Sequence, residues 1–425
     1  MNIICAYPVN VDAVCNIQEE EISRLILSCL APNMKIELKE SINSLEDLLS
    51  CLLFCMQHGS GAEILIEGEA VARQIEDAFS WKYRLGGNAG IMANVLAALG
   101  AKPVLNAPAM GPRLAGMLHE GVRVPSAETA EPIRAAGEII ADKNAEMVHF
   151  VFQFKKGDAI LCGLNRITAP SDNRFIATYD TVNTRLLTNR HFDNYCLENI
   201  RDFDGSLLSG FHLAPLKGYQ DIFSQKITQI KSWKDKNPQI FIHVEMGSFQ
   251  SPQIMKSLLE LLSRIPVDSL GLNEDELAVA DGSNSGRWQE TMQAAERLLE
   301  RLGLFRVAVH TRDYILSVME RGLINPENEL MALKHGTEVA AALAAFGSVT
   351  IPPPSEVNPI GQKAKEEFCR EGAIAGYRGG FIGSKGTIIS LMPSLLVRQP
   401  KFAVGLGDTA TAAVFYEELK SIKRI

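Results

Sequence analysis

Near the C-terminal end, Val404-Gly405-Leu406-Gly407-Asp408-Thr409 places two glycines and a carboxylate where a strand predicted at Phe402–Val404 gives way to a small-residue helix. Glycines there leave backbone N–H groups bare, and the positive end of the helix dipole adds to them, which makes a seat for an anion. Asp408 stands beside that seat, where a general base for phosphoryl transfer is needed. A plainer description fits the same residues: Asp408 caps the helix and the glycines make a tight turn. Three more polar clusters close predicted strands. Asn10 and Asp12 follow Ile3–Tyr7, His243-Val244-Glu245 ends Ile240–Glu245, and Asn273-Glu274-Asp275-Glu276 follows Ser269–Leu272. Ligands of open α/β sheets bind beyond the carboxyl ends of the strands, so four such clusters together point to one active site. Gly405 and Gly407 would hold phosphoryl oxygens, and Asp408 would orient and deprotonate a hydroxyl. Glu245, Asn273 and Glu276 would hold Mg²⁺, partly through water. Asn10 and Asp12 would bind other hydroxyls of a polyol or sugar. No G-x-x-x-x-G-K-[ST] loop occurs, and Gly86-Gly87-Asn88-Ala89-Gly90 does not match a dinucleotide fingerprint.

The elements that must position these residues follow from periodicity. From about residue 200, strands and helices alternate: Ser206–Ser209, helix 219–234, Ile240–Glu245, helix 252–263, Ser269–Leu272, helix 288–302, Arg306–His310. That order implies a mostly parallel sheet covered on both faces. Gly86–Gly90 opens an alanine-rich helix to Leu99. Between about 125 and 185, Glu138–Ile140, Glu146–Phe154 and Arg174–Tyr179 read as successive strands with polar turns. An antiparallel patch inside an alternating chain suggests a lid.

Composition bounds the rest. At 425 residues the chain exceeds one ordinary core, so a large and a smaller domain are expected. A hydrophobic fraction of 46% and a charged fraction of 22% are those of a globular protein, and a net charge of −8 without a long basic run argues against nucleic-acid binding. None of the eight cysteines forms a C-x-x-C pair, and no apolar stretch reaches membrane-spanning length. A reducing cytoplasmic setting with no membrane attachment is expected; the oligomeric state is not readable.

The ordered motifs carry a resemblance. Asn10-Val11-Asp12, Gly86-Gly87-Asn88-Ala89-Gly90-Ile91-Met92-Ala93-Asn94, Asn173-Arg174-Phe175-Ile176, Ser209-Gly210-Phe211-His212, His243-Val244-Glu245, Gly271–Glu276, His310-Thr311 and Val404–Thr409 run in the order found in the ADP-dependent sugar kinases. The sequence resembles that family, the archaeal glucokinases and phosphofructokinases and their animal glucokinase relatives, over nearly the whole chain. The resemblance implies a ribokinase-like three-layer α/β/α sandwich with a smaller β-rich lid. It implies residues 1–13, 86–121 and 186–425 in the large nucleotide-binding domain, and 14–85 and 122–185 in the lid. The implied reaction moves the β-phosphoryl of ADP to a sugar hydroxyl, releases AMP and uses Mg²⁺. Carried over by position, Asp408 is the base and Gly405–Gly407 the anion hole. Glu245 and Glu276 join the metal network, and Asn10, Asp12, Gly87 and Asn88 the sugar site. His310, Val397 and Gly407 border the nucleotide. Glu63 is the position at which a glutamate favours glucose, whereas Lys155, Lys156 and Arg174 lie where cations would hold the phosphate of fructose 6-phosphate. Ser171 replaces the family's usual basic residue. A kinase using ATP or another hydroxyl acceptor, and a non-catalytic sugar or nucleotide sensor, are the competing readings.

Overall fold

The computed structural model describes residues 1–29, 35–126, 133–138, 146–162, 165–249, 251–283, 286–384, 386–402 and 404–422. Two large sheets and one two-stranded antiparallel pair, Ala159–Cys162 with Asn165–Thr168, organise them. The larger has twelve strands. Its parallel centre is Arg306–His310, Ser269–Asn273, Phe241–Glu245, Gly205–Leu208, Asn2–Ala6 and Lys102–Leu105, in that spatial order. Tyr314–Glu320, Thr387–Pro393, Gly379–Ser384 and Ile374–Gly376 extend one side in antiparallel fashion. Alternate residues of each central strand enter opposite apolar layers, as a two-residue side-chain period demands. Ile4, Leu208, Ile242 and Val244 pack beneath helices Tyr219–Lys236, Pro252–Leu262 and Trp288–Leu302. Ile3, Cys5, Leu207 and Phe241 pack beneath helices Asn88–Ala98 and Leu406–Leu419. The result is the expected three-layer α/β/α arrangement.

The smaller sheet has five strands in the order Ala62–Leu65, Asn173–Tyr179, Val148–Phe154, Asn10–Asn16, Lys82–Gly86. One face is apolar: Ala13, Cys15, Ile64, Phe150, Phe152, Phe154, Phe175 and Ala177 are buried under the helices of residues 19–79. The other face carries polar side chains and looks toward the large sheet.

Three sequence expectations shift. Residues 10–13, assigned to the large domain, already pair in the smaller sheet, whereas Arg123–Pro125 and Ile133–Ala135, assigned to the lid, extend the large one. The strand expected at Glu138–Ile140 is absent at its start, where Ala136–Glu138 forms a 3₁₀ turn; residues 139–140 lie outside the described ones. No strand precedes Gly405 among the described residues. Pro400 has no N–H to offer a ladder, and the N–H groups of Lys401 and Phe402 donate instead to the Ala344 carbonyl, at 2.8 and 3.2 Å. The glycine turn therefore joins a loop to a helix.

Candidate active site

Two glycine turns start two helices that pack side by side in one layer on the large sheet. Gly405 takes φ 74° and launches Leu406–Leu419; Gly87 takes φ 77° and launches Asn88–Ala98. Both sites are too tight for a side chain as well as left-handed. A Cβ on Gly405 would lie 2.8 Å from Ile91 Cδ1, and one on Gly87 2.6 Å from the Pro8 carbonyl oxygen. Between the helix ends, Asn88 Nδ2 donates to Asp408 Oδ1 at 2.6 Å. The N-cap position is Gly405, so Asp408 sits a turn inside the helix, and its carboxylate reaches Asn88 and its own N–H. Burial raises its pKa to about 6, Asn88 opposes the rise, and the nearby Glu245 charge adds to it. A carboxylate held near neutrality beside bare helix N–H groups suits a general base. Gly407 keeps that space open: a Cβ there would meet His310 Cε1 at 2.9 Å.

Behind the turn, Glu245 ends its strand fully buried. Oε1 accepts from His310 Nε2 at 2.6 Å, and Oε2 accepts from His243 Nε2 at 3.0 Å and from Thr411 Oγ1 at 3.1 Å. Burial works to raise this carboxyl, but His310 and His243 outweigh it and hold it at about 2. Burial likewise works to lower His310, and the charges of Glu245, Glu276 and Asp408 carry it up to about 9. Asn273 and Glu276 form a reciprocal cap on helix Glu274–Asp281. Asn273 Oδ1 accepts from the Glu276 N–H, while Glu276 accepts from Asn273 N and Nδ2 at 2.9 and 2.8 Å. Burial raises Glu276 to about 7, with Glu245 and Asp408 adding to the shift against Asn273 and His310. Glu245, Glu276 and Asp408 repel one another, and the His310 imidazole offsets their charge. Among the described residues no group of three or more His, Cys, Asp or Glu side chains is placed to hold a metal ion.

The polar face of the smaller sheet forms the third wall. Register sets Arg84 beside Asp12, Asp12 beside His149, and His149 beside Thr178. Asn10 Nδ2 donates to Asp12 Oδ1 at 2.9 Å, Arg84 Nε lies 3.6 Å from Asp12 Oδ2, and Thr178 Oγ1 donates to Glu63 Oε1 at 2.8 Å. His212, on the large body, is half-buried with a buried, unpartnered Nδ1, and desolvation lowers its pKa to about 4 despite the Glu63 charge. Arg84, His149 and His212 were not singled out from the sequence. The available signal was alternation: Arg84 and His149 are polar residues on the same face as Asp12. The exposed turn at Lys155 and Lys156 donates backbone N–H groups to Asp158 and Asp172, and no described contact brings the Lys156 side chain to the site.

A cavity of about 580 Å³ opens from the glycine turn, large enough for a nucleotide. Gly405–Gly407, His310, Asn273 and Arg174 line its polar end; Val397, Leu395 and the Ala340–Ala344 stretch of helix Pro326–Phe346 line its apolar end. His310, Val397 and Gly407 line this same cavity. Arg174 reaches this cavity from the smaller sheet.

Two glycine-started helices, a carboxylate raised to about 6 between them and a nucleotide-sized cavity beside them are the parts that a phosphotransferase acting on an alcohol needs. Residues 1–417 match the family model described as the ADP-specific phosphofructokinase/glucokinase conserved region, and the chain belongs to that family. It is 27% identical to an ADP-specific phosphofructokinase of Pyrococcus abyssi, covering 100% of this chain and 98% of that one. It is 25% identical to an ADP-dependent glucose/glucosamine kinase of Pyrococcus furiosus, covering 98% and 94%. A hypothetical ADP-dependent phosphofructokinase from Pyrococcus horikoshii superposes with a TM-score of 0.83 at 25% identity over 99% and 98% of the two chains. An ADP-dependent kinase solved with fructose-6-phosphate and ADPβS superposes at 0.80 and 25% identity, over 100% and 95%. Among the described residues no helix is long and apolar enough to cross a membrane.

Proposed function

We propose that this chain transfers the β-phosphoryl group of ADP to a hydroxyl of glucose or fructose 6-phosphate and releases AMP, with Mg²⁺ as the metal. The observation that carries the reading is the Asn88–Asp408 contact between two glycine-started helices. Asp408 takes the proton of the attacking hydroxyl, and the N–H groups at Gly405–Gly407 receive the equatorial oxygens of the transferring group. Glu245, Asn273 and Glu276 would hold Mg²⁺, which would supply charge neutralisation on the diphosphate. His310, pinned to Glu245, keeps that carboxylate ionised and sets a cation beside the phosphoryl path. The nucleotide base packs against Val397 and the alanines of the long helix.

On the acceptor side, Asn10, Asp12, Gly87 and Asn88 take sugar hydroxyls. Glu63, fixed by Thr178 on the polar face, supports glucose. Arg84 and Arg174, close enough to repel each other, support a sugar phosphate. The test is AMP formation from ADP with each sugar, with and without Mg²⁺, beside the same assays with ATP. Turnover confined to ATP, or binding of both ligands without turnover, overturns the reading.

A further inference from the structure

Chain crossovers between the two sheets meet at Pro8–Val9, and one buried side chain laces two of them. Asn183, on the returning crossover after strand Asn173–Tyr179, grips the outgoing one at both backbone groups of Val9. Val9 N donates to Asn183 Oδ1 at 3.3 Å, and Asn183 Nδ2 donates to the Val9 carbonyl at 3.0 Å. Asp180 holds Asn183 in place. Its Oδ2 accepts from Asn183 Nδ2 at 2.7 Å, and its Oδ1 accepts from the N–H groups of Val182 and Asn183 at 3.0 and 2.6 Å. The second partner of Asp180 Oδ2 is His149 Nε2 at 2.9 Å, on the polar face beside Asp12. At the other end, Val9 abuts the second glycine turn. A Cβ on Gly87 would lie 2.7 Å from Val9 Cα, and the Pro8 carbonyl accepts from Ala89 N at 3.1 Å. Asn183 and Asp180 are 2% and 5% exposed, so neither is a solvent-facing loop residue.

We propose that His149, Asp180 and Asn183 form a relay in which an acceptor held on the smaller sheet fixes the Val9 crossover and, through Gly87 and Asn88, the placement of Asp408. Asp180 and Asn183 are then positioning residues for the reaction proposed above, on which this inference rests. The contacts are continuous, with the Val9–Asn183 and Asn183–Asp180 bonds buried and the His149–Asp180 bond partly so, which meets the physical requirement for coupling two sites. The relay links acceptor contact to the angle between the sheets without any residue of the relay touching the nucleotide.

Hydrogen exchange of the free protein tests the relay without any ligand. His149→Ala lies two side chains from Val9, yet it should speed exchange of the Val9–Asp12 amides about tenfold, as Asn183→Ala does directly. His149→Gln, whose amide N–H can still donate to Asp180, should stay within about twofold of the parent. Unchanged exchange in His149→Ala overturns the relay. If Asn183→Ala does not fold, Asp180→Asn, which keeps an acceptor for the Val182 and Asn183 N–H groups, takes its place. With turnover available, a cycle of His149→Ala and Asn183→Ala in the acceptor KM should be strongly non-additive while the ADP KM moves less than about twofold. Additive losses, or equal shifts in both KM values, overturn it. A parent that phosphorylates neither sugar defeats the proposed function but leaves the exchange result to decide the relay.

Discussion

Replacing Asp408 by asparagine separates catalysis from stability, because the structure assigns opposite signs to the two. In the folded chain the carboxyl titrates at about 6 against an ordinary 3.8, with burial the main cause. A group whose folded pKa is raised stabilises the fold fully below its unfolded pKa and loses that contribution as pH rises through the folded value. At pH 7 the ionised Asp408 is therefore a burden, on the order of 2–3 kcal/mol for a shift of this size. Asn keeps the shape and can still accept from Asn88 Nδ2 through its carbonyl oxygen, losing only the charge assistance of that bond, about 1 kcal/mol. The variant should therefore melt higher than the parent at pH 7 and by the same margin at pH 8, because the burden is complete above the folded pKa, with the difference vanishing near pH 4. Catalysis should move the other way. Loss of a positioned general base costs roughly 10²–10⁴-fold in kcat. The parent's kcat should itself fall below about pH 6 as Asp408 takes up a proton. Calorimetry across pH and a coupled AMP assay on the same preparations measure both. A variant with kcat within about fivefold of the parent, or one that melts well below it at pH 7, refutes the reasoning and leaves Asp408 a structural residue.

Glu245→Gln should behave oppositely. That carboxyl is depressed to about 2, so its stabilisation is present above about pH 4.5, and removing it should cost on the order of 2–3 kcal/mol at pH 7 and raise the Mg²⁺ requirement; denaturant melts and a Mg²⁺ titration check this. Gly407→Ala sets alanine's helix preference of about 1 kcal/mol against a Cβ 2.9 Å from His310 Cε1, so it should cost stability modestly and lower kcat at least about tenfold by displacing His310. Gly405→Ala should lose both, through its left-handed φ and the Ile91 contact, and the two variants compared by melt and turnover separate the effects. Glu63→Ala should lower kcat/KM for glucose about tenfold while leaving fructose 6-phosphate within about twofold; equal losses would show that Glu63 does not select the acceptor.

The large sheet was legible because its strands are buried on both faces and read as continuous apolar runs bounded by helices of ordinary period. Glu245, Asn273 and Glu276 were legible for the same reason: each stands at the end of such a run. The strand expected before Gly405 was not, because an apolar run containing Pro400 satisfies its backbone through Ala344 instead of a ladder, a tertiary choice no local pattern encodes. Arg84 and His149 were missed because their meaning lies in register across three strands. His212 lies far in sequence from Glu63, whose charge it feels. The Asp180–Asn183 contacts were invisible because they reach backbone groups more than 170 positions away.

The strict alternation of the smaller sheet has an evolutionary consequence. Residues that hold it together point one way, and Asp12, Arg84 and His149, where the proposed acceptor would bind, point the other. Side chains at 63, 153, 174 and 176 can therefore drift with little tax on folding, whereas Phe150, Phe152 and Phe175 cannot. The sheet separates heritable scaffold from selectable surface at single-residue resolution. New acceptor preferences should be reachable by a few point changes on one face, with the phosphoryl-transfer apparatus inherited unaltered.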